Sequence, residues 1–156
     1  MRHIQAPKIF SPKKSSEWER TLFIGGGISG TTVWQDKMVK LLTGTNLILL
    51  NPRRKKFDVK DPMMTVEQIE WEFYHLRFAR ARMFWFPPET LCPITLFELG
   101  KYIESSDRLF VGVDPKYARY DDVQTQLTLA RPGDSKIDCY LSSLAVRIKR
   151  GMCGRV

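Results

Sequence analysis

The sequence predicts a three-layer α/β sandwich built on a parallel sheet. Three observations carry this reading. Strand-like and helix-like runs alternate five times along the 156 residues. The strand-like runs are continuously apolar, as strands covered on both faces are. Each of the first four ends in Gly, Asn-Pro, Pro-Pro or Asp-Pro, the punctuation of turns along one sheet edge. Right-handed crossovers then make a five-stranded, flavodoxin-like sheet of order 2-1-3-4-5 the simplest solution.

The elements follow in order. Residues 1–19, with Pro7, Pro12 and Lys-Lys-Ser-Ser, read as an irregular arm before a domain over 20–150 and a basic tail over 151–156. Thr21–Ile24 is a short apolar strand entering Gly25-Gly-Gly-Ile-Ser-Gly30. A helix from about Thr32 carries Val33, Trp34, Met38, Leu41 and Leu42 at helical spacing and stops at Gly44. Asn46–Leu50 is a second strand. Thr65-Val-Glu-Gln68 resembles a capping box, and Val66, Ile69, Phe73 and Leu76 behind it form an i, i+3, i+4 stripe. Met83–Phe86 is a third strand; Pro93 opens a helix with Leu96, Leu99 and Ile103 on one side; Leu109–Val113 is a fourth strand. A helix near 121–129, a strand near 137–140 and a helix over 141–149 complete the pattern.

Composition narrows the function classes. Lys and Arg number 25 against 17 Asp and Glu, a net charge of +8. Such a surface favours anionic partners, but the basic runs read as solvated faces, and nucleic acid is not expected as a partner. No apolar run approaches the roughly 18–20 residues that span a bilayer, and residues 1–14 lack the apolar stretch of a secretory signal. Three scattered cysteines show no metal or disulfide spacing. A cytoplasmic protein with no metal, no cofactor and no membrane partner is expected.

In a doubly wound sheet, ligands bind beyond the carboxyl ends of the strands. Gly25–Gly30, Asn51–Arg54, Pro87–Cys92 and Asp114–Tyr117 fall there. The glycine run matches G-x-G-x-x-G between strand and helix, where backbone amides approach an anion closely. The acidic residue that a dinucleotide needs some 20 positions on is absent, with Leu49-Leu-Asn-Pro52 in its place. The run is therefore a phosphate or sugar cradle, or a tight turn with no ligand. Arg53 and Arg54 stand beside it either as phosphate partners or as a solvated loop.

Two carboxylates lie among apolar residues near this edge: Glu98 in Pro93–Gly100 and Glu72 between Trp71 and Phe73. A carboxylate against apolar surface serves as nucleophile or general acid, according to which environment raises its pKa. The alternatives are a capping box, Thr95-x-x-Glu98, and a solvated helix flank for Glu72. His75 stands alone, and Cys92 has no His partner.

Taken together, Phe23–Gly30, Trp34-Gln35, Asn51–Arg54, Glu70-Trp-Glu72, Met83–Pro87, Thr90–Gly100 and Val111–Pro115 resemble the nucleoside 2-deoxyribosyltransferase family, in particular its "-like" branch, over about residues 20–150. The resemblance implies an enzyme that transfers or hydrolyses the N-glycosidic bond of 2'-deoxynucleosides or their 5'-monophosphates. It implies Glu98 as the nucleophile that forms a glycosyl-enzyme, and Glu72 as the group facing the leaving base. Gly26, Gly27, Ile28, Ser29 and Gly30 would hold the 5' end of the substrate, helped by Asn51 and Arg53, with Cys92 at the sugar. It also implies a homo-oligomer with shared active sites, Gln124 being the residue that a neighbour supplies. The chain departs from the family's transferases at two positions: Phe23 replaces a tyrosine, and Cys92 replaces an aspartate. Those departures motivate the alternative, a catalytically silent nucleotide-binding module for sensing or sequestering.

Overall fold

The computed structural model describes residues 1–58 and 60–154; position 59 and the end of the expected basic tail, 155–156, lie outside the described residues. Six strands form one sheet: β1 (Arg2–Gln5), β2 (Thr21–Gly26), β3 (Ile48–Asn51), β4 (Ala81–Phe86), β5 (Arg108–Val113) and β6 (Ile137–Asp138). Their order is β1-β3-β2-β4-β5-β6, and every pairing is parallel. The five expected strands stand in the expected order. The sheet is nevertheless six-stranded, because part of the expected arm pairs with it.

That extra strand is short and carries one core residue, Ile4, so hydropathy alone gives it no signature. Pairing makes it: Arg2 to Gln5 align with Ile48 to Asn51, and the Ala6 amide donates to the Asn51 carbonyl at 3.0 Å. Hydrogen bonds to an open sheet edge fix a segment whose own apolar content would not. The chain then crosses the second helix. Phe10 is buried, its amide donates to His75 Nε2 at 3.0 Å, and the Trp71 indole donates to the Lys8 carbonyl at 2.9 Å. With Nε2 accepting, the His75 proton sits on Nδ1 and is donated to the Trp71 carbonyl. Burial pushes the His75 pKa down, so the ring is a neutral clip for this segment.

Helices α1 (Trp34–Leu41), α2 (Pro62–Phe78), α3 (Pro93–Tyr102), α4 (Tyr120–Ala130) and α5 (Leu141–Cys153) cover the sheet. On one face Trp34, Met38 and Leu42 meet Leu144 and Ile148 over Leu22, Ile24 and Met83. On the other, Trp71, Leu76, Leu99 and Leu127 pack over Phe23, Leu50, Phe84 and Val111. Phe84, Trp85 and Phe86 are thereby buried in β4, and their aromatic run is core, not a stacking surface. Arg82 of the same strand is also buried. Its guanidinium donates to the Leu76 and Arg77 carbonyls and to Asp107, so the charge is fully partnered.

Two expectations for α2 change. The helix starts a turn earlier than the Thr65–Gln68 box implies: Asp61 caps it, accepting from the Met63 and Met64 amides, and Pro62 occupies its first position. Three of the four residues of its expected apolar stripe also face outward. Val66, Ile69 and Phe73 are about half exposed, while Gln68, Trp71, His75 and Leu76 face inward. A helix apolar on both sides reads ambiguously from spacing, because either stripe satisfies the same period.

Candidate active site

Chain reversal between β2 and β4 opens a crevice at the carboxyl edge of the sheet, on the face covered by α2 and α3. A cavity of about 460 Å³ lies there, large enough for a nucleoside-sized ligand. One wall is the turn Gly25–Ser29. Glu72 and Gln68 of α2 form the second wall, and Cys92, Ile94, Thr95 and Glu98 the third.

The turn is built for close approach. Gly26 has φ +150°, and a Cβ there would meet the Trp85 carbonyl at 2.4 Å and the Trp34 ring at 2.5 Å. A Cβ on Gly27 would lie 2.6 Å from Cys92 Sγ. Only glycine lets this backbone lie against its neighbours. The Gly27 carbonyl accepts from Trp34 Nε1 (2.8 Å), Thr31 Oγ1 (3.1 Å) and Gln35 Nε2 (3.3 Å), and is thereby held toward α1. The Ile28 amide, trans to it in the same planar peptide, points the opposite way.

Arg53 braces this turn from behind. Its guanidinium donates to Thr31 Oγ1, the Thr31 and Thr32 carbonyls and Gln35 Oε1 at 3.2–3.3 Å, and it does not line the cavity. Asn51 is buried; its Oδ1 accepts from the Arg53 amide at 3.0 Å, and its amide group meets His3 Nε2 at 3.1 Å. Gly30 lies outside the lining, past the turn, with φ +70°. Gln124 is exposed on α4, away from this cavity. Gly26, Gly27, Ile28, Ser29, Cys92, Glu72 and Glu98 are brought together at the cavity, whereas Gly30, Asn51, Arg53 and Gln124 are not.

Cys92 caps α3 in a left-handed conformation, φ 47° and ψ 53°, which is costly for a residue with a Cβ. Its thiol donates to the Thr90 carbonyl at 3.4 Å, and burial pushes its pKa up, so it forms a wall of low reactivity. Because Pro93 starts the helix, Thr95 is inside it and buried. The Thr95–Glu98 box therefore does not form, since such a box needs its Thr at the cap. Glu98 instead sits on the second turn and faces the cavity.

The two carboxyls differ in their surroundings. Burial, and after it the charge of Glu72, push Glu98 up to about 8; Lys101 opposes this only in part. Burial also holds Glu72 above the ordinary carboxyl range, though a hydrogen bond from Gln68 and the charge of Arg54 oppose it in part. Gln68 reads from sequence as a capping residue and Arg54 as a phosphate partner or a loop cation; the i, i+4 spacing of Gln68 and Glu72 is the one local signal of their contact. Phe57, Ile69 and Ile94 add apolar surface at the cavity wall. Among the described residues no three His, Cys, Asp or Glu side chains gather as metal ligands do, and no helix is long and apolar enough to cross a membrane.

Fold and site together define a doubly wound parallel α/β protein with a paired-carboxyl cavity at its topological switch point. The model of the family described as nucleoside 2-deoxyribosyltransferase like matches residues 19–117, and the chain belongs to that family. No curated protein matches the chain.

Proposed function

We propose that this chain is an enzyme that breaks the N-glycosidic bond of 2'-deoxynucleosides or their 5'-monophosphates, and passes the sugar to a second base or to water. The observation that carries this reading is the pair Glu72 and Glu98 in one cavity, facing the glycine turn Gly25–Ser29. Two carboxyls with different environments supply the two roles that glycosyl transfer needs.

In the proposed reaction the Glu98 carboxylate attacks C1' and forms a C1'–O bond as the C1'–N bond breaks. The leaving nitrogen keeps the bonding electron pair and takes a proton from Glu72. An acceptor base or water, deprotonated as Glu72 recovers that proton, then displaces Glu98 from C1'. Two inversions give net retention. We assign the sugar's 5' side to Gly26–Gly30, where Ser29 lines the cavity and the Ile28 amide is unshielded by α1. Arg53 and Asn51 serve by holding that turn, and Cys92 walls the sugar side.

The test is a panel of deoxynucleosides and their monophosphates, with and without acceptor base, scored for free or exchanged base by chromatography. Turnover of at least one member, lost in Glu98→Gln, is expected. Tight binding of a nucleotide with no turnover, unaffected by Glu98→Gln, would instead favour a silent binding module.

We also propose a homo-oligomer with shared sites. Val66, Ile69 and Phe73 of α2 and Ile94 and Phe97 of α3 are exposed, and Ile69 and Ile94 line the cavity as well, so its wall continues into an apolar surface. Monomeric proteins rarely leave such patches bare. Gln124, remote from its own cavity, would act in a neighbour's. Sedimentation velocity should give a dimer or larger for the wild type and a monomer for Phe73→Glu/Phe97→Glu; a wild-type monomer at tens of micromolar would contradict it.

A further inference from the structure

Gln68 is a buried amide with no freedom of orientation. Arg54 Nε, which can only donate, lies 2.6 Å from its Oε1, and the Pro52 carbonyl, which can only accept, lies 2.8 Å from its Nε2. Its Nε2 must therefore also face Glu72, and it donates to Glu72 Oε1 at 2.7 Å. Arg54 is fixed in turn: its side chain is 5% exposed, and its Nη2 meets Glu67 Oε2 at 2.7 Å. A continuous line Glu67–Arg54–Gln68–Glu72 thus ends in the cavity, with Glu98 facing it from α3.

The charged groups around the two carboxyls are few. Glu72 feels Arg54 from the β3–α2 loop and Glu98 from α3; Glu98 feels Glu72 from α2 and Lys101 from its own helix. Lys101 lies with its ammonium 4.5 Å from the Phe73 ring centre. The asymmetry between the carboxyls therefore rests on the Gln68 end of the line.

We propose that Gln68 is a positioning residue that allocates the proton of the carboxyl pair: locked by Arg54 and Pro52, it holds Glu72 as the anion before substrate binds and leaves the proton on Glu98. As a statement about protonation this stands on the hydrogen bonds that fix Gln68 against Glu72 and on the placement of both carboxyls in one cavity; as a statement about catalysis it rests on the function proposed above. For the reaction, one proton is enough. Substrate entry has to move it from the Glu98 carboxyl to the free Glu72 oxygen, which leaves Glu98 able to attack and Glu72 able to protonate the base. Gln68 continues to donate to the other Glu72 oxygen throughout.

Carboxyl-carbon NMR titration of the intact protein, with Glu72→Gln and Glu98→Gln for assignment, tests it without any need for turnover. In the wild type Glu98 should titrate near 8 and Glu72 lower. In Gln68→Met, with folding checked by circular dichroism, the Glu72 midpoint should rise and that of Glu98 fall, each by about one pH unit, a tenfold redistribution of the proton. Gln68→Leu, which removes the same donor with a differently shaped apolar side chain and leaves the Arg54 charge in place, should shift both midpoints in the same directions and keeps the test open where Gln68→Met does not fold. Unchanged midpoints in the folded variant would overturn the proposal. Shifted midpoints in a protein that releases no base would leave the relay standing and sink the enzymatic reading instead.

Discussion

Glu98→Gln is expected to abolish base release, by on the order of 10³-fold or more, while making the folded protein more stable at alkaline pH. The first half follows from removing the attacking group while Glu72 stays committed to the leaving base. The second follows from linkage. The pKa of Glu98 is raised from the ordinary carboxyl range to about 8 in the folded chain, chiefly by burial and then by Glu72. Between those two values the folded state holds a proton that the unfolded state has released, so stability falls as pH rises, and the loss is complete above about 8. Fully converted, such a shift is worth about 4–5 kcal/mol; the side chain lies in an open cavity, so about 3 kcal/mol is the working figure. Glutamine keeps the shape and removes the charge. Thermal melts at pH 5 and pH 9 check this: the variant should match wild type at pH 5 and melt several degrees higher at pH 9. Equal melting at both would mean that Glu98 is not buried against Glu72 as described.

Wild-type kcat/KM is expected to trace a bell against pH, with its alkaline limb near 8. The productive form holds one proton on the carboxyl pair. The second proton, gained at lower pH through Glu72, removes the anion that attacks; the last one, lost near 8, removes the acid. These midpoints belong to the pair as a unit. Glu72→Gln should cost roughly 10²–10⁴-fold in base release. It should also reshape the profile, because loss of the neighbouring charge lowers Glu98 and leaves only an ascending limb. A steadily rising wild-type profile between pH 6 and 10 would contradict the shared-proton scheme.

Much of the fold is legible in the sequence because burial on both sides makes β2 to β5 continuous apolar runs. β1 escapes, since its pairing energy comes from the exposed edge of β3, which no local pattern records. The stripe Val66, Ile69, Phe73 misleads for a related reason: period tells which residues share a helix face, but not which of two apolar faces meets the sheet. At the site, Glu72 and Glu98 stand out as carboxylates in apolar company, and the structure gives both the cavity. Arg53 reaches the glycine turn yet faces its rear, because Thr31, Thr32 and Gln35 capture its guanidinium, and Asn51 is taken up by His3 and the Arg53 amide. Sequence marks which residues reach an edge of the sheet. It does not say which of them already have partners there. Gln68 illustrates the converse: as a presumed cap it looks generic, and its importance emerges only from the three partners that lock it.

The central claim is that the Glu98 carboxylate becomes bonded to the anomeric carbon of the sugar. Incubation with a 2'-fluorinated nucleoside, whose electronegative substituent slows release of the sugar, followed by intact mass and peptide mapping, addresses it directly. One glycosyl adduct per chain on the peptide containing Glu98, absent from Glu98→Gln, is the predicted result. Base released from this probe with no adduct at any stage, or an adduct that persists in Glu98→Gln, would contradict it.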